Sequence, residues 1–221
     1  DGDEVKTNTR FEYGEDDEME TSTTYKGDDD TTKRSVTNYT RDEGFEKAEV
    51  TYNYNYDGDE VKTNTVFEYG EDDEMTKSAT YKGSDTTTKR SVTEYTRDEG
   101  FEKAEVTYNY NYDGDDVKTN TRFEYGEDDE MTKSATYKGS DTTTKRSVTN
   151  YTRDEGFEKA KVTYNYNQEG NRAGTNTVFS YGDDDQMVKS TTYKSETDQT
   201  KESVTIYARD EGFEKAQVTY N

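Results

Sequence analysis

Apolar and polar side chains alternate along several stretches of the chain, and the alternation has a period of two residues. One stretch gives a predicted face made of Val61, Thr63, Thr65, Phe67 and Tyr69. Another gives a tyrosine-rich face made of Ala104, Val106, Tyr108, Tyr110 and Tyr112. Side chains alternate across a strand, and no apolar stripe recurs at helical spacing, so the pattern predicts β-strands rather than helices.

A short turn-forming stretch that begins with tyrosine precedes each predicted strand. In the second quarter of the chain these stretches begin at Tyr56, Tyr69, Tyr81 and Tyr95. Asp57-Gly58 favours a type I′ hairpin turn, since glycine and aspartate tolerate the positive φ that such a turn needs. Asp98-Glu99-Gly100 favours a three-residue hairpin closed by a left-handed glycine. The spacing predicts strands of roughly eight to ten residues joined by tight turns.

The chain repeats itself every 56 residues. Asp1–Thr9 recurs at Asp57–Thr65, at Asp113–Thr121 and, in altered form, at Glu169–Thr177. The repeat predicts one continuous array of four units, in which the last is diverged and suits a terminal cap. The units are residues 1–56, 57–112, 113–168 and 169–221.

Four strands in each unit predict an all-β fold, a repetitive antiparallel meander of about 16 strands that is elongated or spiral. A four-bladed propeller or a closed barrel is the alternative. The meander is favoured because propeller blades are sandwiched on both faces and need more aliphatic core than this chain offers.

Composition indicates how such a sheet would hold together. Hydrophobic residues make up only 25% of the chain and the net charge is −23, a combination usual in disordered chains. The absence of proline and the presence of 21 tyrosines and 8 phenylalanines favour a folded sheet instead. Cross-strand pairs of such residues each contribute about 0.2–1 kcal/mol, and their rows would replace a conventional core.

Positions that vary between the units indicate which face is solvated. Arg10, Val66, Arg122 and Val178 are equivalent, as are Glu49, Glu105, Lys161 and Gln217. A position that accepts arginine or valine, or glutamate or lysine, suits a solvated face. We therefore expect Val66 and Glu105 to lie opposite the aromatic rows.

One turn of the repeat resembles a known motif. Tyr54-Asn55-Tyr56-Asp57-Gly58-Asp59, which recurs at Tyr110–Asp115, is similar to the Tyr-x-Tyr-Asp core of YD repeats in Rhs-type and teneurin-type proteins. The resemblance covers this turn and little else. It implies a secreted or cell-surface spiral of β-hairpins that serves as a scaffold or shell, and it brings no catalytic residues.

Two sets of side chains are candidates for ligand binding. Acidic turns would supply oxygen ligands to calcium, the one cofactor that the sequence suggests, through Asp57, Asp59, Glu60, Glu71, Asp72 and Asp73. A tyrosine row would stack against sugar rings through Tyr108, Tyr110 and Tyr112. Each set also has a structural interpretation, as solvated acidic turns and as cross-strand packing.

Reactive side chains are scarce. The chain has no histidine and no cysteine, so base-activated serine or cysteine catalysis and most transition-metal sites lack their usual components. We therefore predict that the protein is not an enzyme. Its acidity disfavours nucleic acid and anionic membranes as partners, and no stretch has the apolar length of a membrane helix.

These observations favour a structural protein of the extracellular space or the cell surface, such as a stalk, a matrix or adhesion component, or a filament subunit. Self-assembly through strand edges would suit that role. The alternative is a multivalent binding module for calcium, glycans or a cationic surface.

Overall fold

The computed structural model describes residues 5–28, 30–40, 44–152, 156–171, 173–208 and 215–221, and within them it contains sixteen β-strands. They are β1 (Thr7–Tyr13), β2 (Met19–Lys26), β3 (Lys33–Thr40), β4 (Lys47–Tyr54), β5 (Val61–Tyr69), β6 (Met75–Lys82), β7 (Lys89–Thr96), β8 (Lys103–Tyr110), β9 (Val117–Tyr125), β10 (Met131–Lys138), β11 (Lys145–Thr152), β12 (Lys159–Tyr166), β13 (Ala173–Tyr181), β14 (Met187–Tyr193), β15 (Lys201–Ala208) and β16 (Lys215–Tyr220). No helix in these ranges is long and apolar enough to span a membrane.

All sixteen strands belong to one open sheet, in which they follow one another in chain order. Every pair with a described register is antiparallel, such as β5 with β6 and β13 with β14. The predicted meander is therefore confirmed, and a single sheet in this order is neither a closed barrel nor a set of separate blades. The chain divides into two compact units that each span about two of the four repeats: the first unit is Asp1–Val117 and the second unit is Lys118–Asn221.

Threonine pairs line one face of the sheet in the first unit. The Oγ1 atoms of Thr65 and Thr80 are 2.9 Å apart and share a hydrogen bond. Phe67 lies opposite Ser78 in the same register. The predicted row of hydroxyl and aromatic side chains is thus present on β5. Val61 leaves this row because a register shift between Asn53 and Tyr54 brings it opposite Tyr54.

The opposite face carries the small apolar core of the first unit. Ala79, Val92 and Val106 are 2%, 6% and 2% exposed. Ala79 lies opposite both Val92 and Val66, and Val66 also lies opposite Val50. The expectation that Val66 lies on the solvated face is therefore wrong, whereas Glu105 is exposed as predicted.

The equivalent residue of the second unit shows why variation misled the assignment. Arg122 is the equivalent of Val66 one repeat later, and it lies opposite Ala135, which is 2% exposed. A long arginine stem can cover apolar surface while its charged end reaches water. An arginine-or-valine position can therefore lie on the core face.

The turns differ in detail from the sequence prediction. The turn between β4 and β5 has positive φ at Gly58 but not at Asp57, so it is not type I′. The N–H of Gly58 donates to the carbonyl of Asn55 at 3.2 Å. The turn between β7 and β8 does contain a left-handed glycine, Gly100, and the N–H of Phe101 donates to the carbonyl of Asp98 at 3.0 Å.

Candidate binding site

The first acidic turn is organised by an asparagine side chain. Asn55 Oδ1 accepts hydrogen bonds from the N–H groups of Gly58 at 2.9 Å and Asp59 at 3.2 Å. Asp59 Oδ1 in turn accepts from Asn55 Nδ2 at 2.8 Å. Asp57, Asp59 and Glu60 are all exposed. Asn55 thus supplies an acceptor to the turn, and one carboxylate of the predicted calcium set is already hydrogen-bonded.

The second acidic turn is closed by its own glutamate. The N–H of Gly70 donates to the carbonyl of Glu74 at 2.9 Å, and the N–H of Asp72 donates to Glu74 Oε2 at 3.2 Å. Asp73 has a φ of 67°, a left-handed conformation that aspartate tolerates better than most residues. Glu71 and Asp72 are exposed. Asp73 thus shapes the turn.

The part of the chain that the structure describes contains no group of three or more acidic side chains placed to hold a metal ion. The predicted calcium ligands belong to two different turns, which precede and follow β5. Calcium needs six to eight oxygen ligands, so either turn would have to recruit further oxygens. Calcium binding stays a prediction.

A cavity of about 290 Å³ opens on the core face of the first unit. Its polar and aromatic lining consists of Lys77, Tyr81, Lys89, Glu94, Tyr108 and Tyr110. Val92 and Val117 add apolar surface. Strands β6, β7 and β8 and the first residue of β9 supply these side chains, so the cavity is formed by consecutive strands of the meander.

Register explains how distant parts of the sequence meet at this cavity. Val92 lies opposite Tyr108, and Lys77 lies opposite Glu94. A register shift between Thr80 and Tyr81 brings Lys89 opposite Tyr81. Tyrosines and lysines from three strands are therefore gathered on one face.

Electrostatic contacts fix the lysines of the cavity. Lys77 Nζ donates to Glu68 Oε1 at 2.7 Å, and this hydrogen bond is the main reason why the pKa of Lys77 is raised. The charge of Glu94 raises the same pKa further. Lys89 Nζ lies 5.5 Å from the centre of the Tyr110 ring, within the range of a cation–π contact. Both ammonium groups are thus held at the wall of the cavity.

The predicted tyrosine row is divided between two environments. Tyr108 and Tyr110 line the cavity, whereas Tyr112 is 70% exposed. Lys82 Nζ donates to the Tyr112 hydroxyl at 3.1 Å, and Arg90 lies 5.2 Å from the centre of the ring. The hydrogen bond from Lys82 is the main cause that lowers the pKa of Tyr112. Tyr112 therefore belongs to a cationic clamp at the turn.

The second unit has a related cavity of about 400 Å³. It is lined by Lys145, Tyr166, Asn171, Ala173, Ser195 and Glu196, with Thr197 at one side. Lys145 Nζ lies 5.6 Å from the centre of the Tyr166 ring. Burial is the main cause that raises the pKa of Tyr166. A lysine over a partly buried tyrosine is thus common to both cavities.

Sequence reasoning missed the side chains that complete the cavity and those that support it. The sequence-based candidates did not include Tyr81, Lys77, Lys89 and Glu94. A signal existed for two of these positions, because a tyrosine at the position of Tyr81 and a lysine at the position of Lys89 recur in every repeat. The buried Asn64 was also missed. Its Nδ2 donates to the carbonyls of Gly83 at 2.9 Å and Asp85 at 2.8 Å.

Comparisons with known proteins give no family. No family model matches the chain, and no curated protein does. A solved structure titled "Crystal Structure of TcdB2-TccC3-TEV" shares 12% identity with a TM-score of 0.30, covering 92% of this chain and 12% of that one. Another, "Crystal Structure of TcdB2-TccC3", shares 9% identity with a TM-score of 0.29, covering 92% and 14%. The chain spans only 12% and 14% of the length of these two structures.

Proposed function

We propose that the chain is a non-catalytic structural protein of the cell surface or the extracellular space, serving as a stalk, a matrix component or a filament subunit. The observation that carries the proposal is the recurrence of the same contact in every repeat. The Oγ1–Oγ1 distance is 2.9 Å in the pairs Thr9–Thr24, Thr65–Thr80, Thr121–Thr136 and Thr177–Thr192. Equivalent units suit a role that depends on length and regularity.

Supporting contacts recur in the same way. Glu46 and Glu102 each accept a hydrogen bond from the backbone N–H of a methionine 27 residues earlier, at 3.0 and 2.9 Å. Glu158 likewise accepts a hydrogen bond from the backbone N–H of Met131 at 2.8 Å. An active site would normally distinguish one copy from the others. The resemblance of the Tyr54–Asp59 turn to YD repeats supports the same scaffold role.

The partner that best fits this role is a second copy of the chain. In the described residues β1 and β16 each have a neighbouring strand on one side only, which leaves backbone groups available for pairing. Phe11, Tyr13 and Tyr220 on these strands are 53%, 61% and 62% exposed. An edge that also exposes aromatic side chains favours strand addition.

The pairing of β4 with β5 supplies a register for this contact. Val50 lies opposite Val66 and Thr51 opposite Thr65, and the same arrangement joins β12 to β13. The residues of β16 that are equivalent to those of β4 lie three repeats later in the chain. The residues of β1 that are equivalent to those of β5 lie one repeat earlier. The intermolecular pairs would then be Val218 with Arg10 and Thr219 with Thr9.

Sedimentation velocity across a concentration series, followed by electron microscopy, tests the proposal. We expect end-to-end assemblies that grow with concentration. Val218→Lys should suppress them, because two cations directly opposite each other on paired strands repel. Gln217→Lys is the matched control, since it adds the same charge and the equivalent position of the third repeat is Lys161.

A species that stays monomeric at every concentration would contradict the filament form of the proposal, and equal suppression by both variants would contradict the register. Antibody labelling of intact source cells tests the location separately. Labelling that appears only after the cells are permeabilised would contradict a surface or extracellular role.

A further inference from the structure

The charges around the cavity of the first unit balance one another. Lys77 and Lys89 contribute two positive charges to its wall, and Glu94 contributes one negative charge. The second negative charge is that of Glu68, which accepts the hydrogen bond from Lys77. The balanced wall lies in a chain whose net charge is −23. An anionic ligand would be repelled by the whole molecule, and a cationic ligand would meet two ammonium groups.

The same wall is well supplied with hydrogen-bonding groups. Lys89 has no carboxylate partner among the described residues, and its ammonium group lies over the Tyr110 ring. An ammonium group donates up to three hydrogen bonds, and the Glu94 carboxylate only accepts them. The tyrosine hydroxyls can do both. A ligand that carries several neutral hydroxyl groups would match this mixture of donors and acceptors.

The aromatic side chains and the volume of the cavity restrict the class of ligand further. Tyr81, Tyr108 and Tyr110 come from two strands and line a single cavity. Tyrosine combines an apolar ring with a polar end, as a sugar ring combines an apolar C–H face with polar edges. The cavity volume of about 290 Å³ lies just below the roughly 300–1,000 Å³ that is typical of small-molecule sites. That size suits a single ring.

We propose that this cavity binds an uncharged sugar ring, with the tyrosines contacting its apolar face, Lys89 donating to its oxygens and Glu94 accepting from its hydroxyls. The proposal does not rest on assembly of the chain into filaments. It assigns five side chains to the site, Tyr81, Tyr108, Tyr110, Lys89 and Glu94.

The repeat provides internal comparisons for the same site. The residues equivalent to Lys89 are Lys33, Lys145 and Lys201, and those equivalent to Tyr108 are Tyr52, Tyr164 and Tyr220. Glu94 is replaced by Asn38, Asn150 and Ile206. Asparagine still offers an oxygen to a sugar hydroxyl, whereas isoleucine does not. The fourth repeat is therefore the one whose equivalent position has lost this acceptor.

Nuclear magnetic resonance of the tyrosine rings tests the site directly in the full chain. The probes are the methyl glycosides of glucose, galactose, mannose and N-acetylglucosamine, with glucuronate and glucosamine as charged counterparts. We expect at least one neutral probe to shift the assigned resonances of Tyr81, Tyr108 and Tyr110 in a saturable way. Lys89→Gln or Glu94→Ile, which introduces the residue of the fourth repeat, should weaken that binding by about tenfold, the usual effect of losing a hydrogen bond to a charged group.

Two controls separate binding from misfolding. Lys118→Gln removes the same charge at an exposed position outside the lining, so it should leave the affinity unchanged. Glu94→Asn introduces the residue found at this position in the first and third repeats and should retain most of the binding. The proposal is overturned if no neutral probe shifts these resonances, if a charged probe binds more tightly than every neutral one, or if Lys89→Gln and Glu94→Ile bind as the unsubstituted chain does.

Discussion

Glu102 Oε1 accepts a hydrogen bond from the backbone N–H of Met75 at 2.9 Å, across 27 residues of sequence. The second oxygen of the same carboxylate accepts from the N–H of Gly100 at 2.9 Å. One side chain therefore joins the start of β6 to the turn between β7 and β8. These hydrogen bonds lower the pKa of Glu102, with the bond from Met75 as the largest cause.

Glu102→Ala should destabilise the chain. The substitution leaves two backbone N–H groups without their acceptor, and a hydrogen bond of this kind contributes about 1 kcal/mol. Urea denaturation should show a lower midpoint with an unchanged slope. Glu105→Ala removes a carboxylate from an exposed position nearby and serves as the control. Equal destabilisation by both variants would mean that charge, rather than the contact with Met75, is responsible.

The contribution of Glu102 to the free energy of unfolding should decrease as the pH falls. Its pKa is lowered from 4.5 in the folded chain, so the unfolded chain takes up its proton first as the pH falls. The stabilisation is complete above pH 4.5 and is lost as the pH falls through the lower folded pKa. The difference in unfolding free energy between the unsubstituted chain and Glu102→Ala should therefore shrink in acid. A difference that grows in acid would contradict this sign.

Local signals in the sequence were sufficient for the strands and their order. Tyrosine-led turns and period-two alternation predicted an antiparallel meander, and the structure has one. Register shifts were not predictable from alternation, because one unpaired residue changes the face of everything beyond it. Val61 is the clearest case, since the shift at Asn53 and Tyr54 removes it from the threonine row.

The candidate site was only partly predictable for a related reason. Tyr108 and Tyr110 were recognised because they are two residues apart on one strand. Lys89 and Tyr81 meet them only through pairing between strands, which depends on registers that the sequence does not display. Glu102 was missed in the same way, because its partner Met75 lies 27 residues away.

Asn64 should be a sensitive position for stability. It is 1% exposed, and its Nδ2 donates to the carbonyls of Gly83 and Asp85. Asn64→Ala should cost about 1–3 kcal/mol, the usual penalty for a buried polar group left without a partner. Thermal or urea unfolding measures it.

Asn8 offers the matched comparison for Asn64. It is the equivalent residue of the first repeat, is only half-buried, and donates to the carbonyl of Gly27 at 3.1 Å. Asn8→Ala should therefore cost less than Asn64→Ala. Equal costs at the two positions would contradict the assigned importance of burial.

Alanine substitution at two glycines with left-handed backbone conformations distinguishes the cost of backbone strain from the cost of a steric clash. Gly114 and Gly100 have φ values of 82° and 80°. A Cβ at residue 114 would lie 2.6 Å from the backbone nitrogen of Lys89, whereas one at residue 100 would meet nothing within 4 Å. Gly100→Ala should cost about 1–2 kcal/mol from the left-handed backbone alone. Gly114→Ala should cost clearly more, as measured by urea unfolding, and similar costs would contradict the close approach.

Native-state hydrogen exchange, read residue by residue, tests the central claim most directly. That claim is that paired threonine, tyrosine and valine rows hold an open sheet together although few apolar side chains are buried. We expect the paired amides of β6, β7 and β8 to exchange far more slowly than those of β16, in which every side chain is exposed. Exchange of all these amides at the rate of an unfolded chain would contradict the claim.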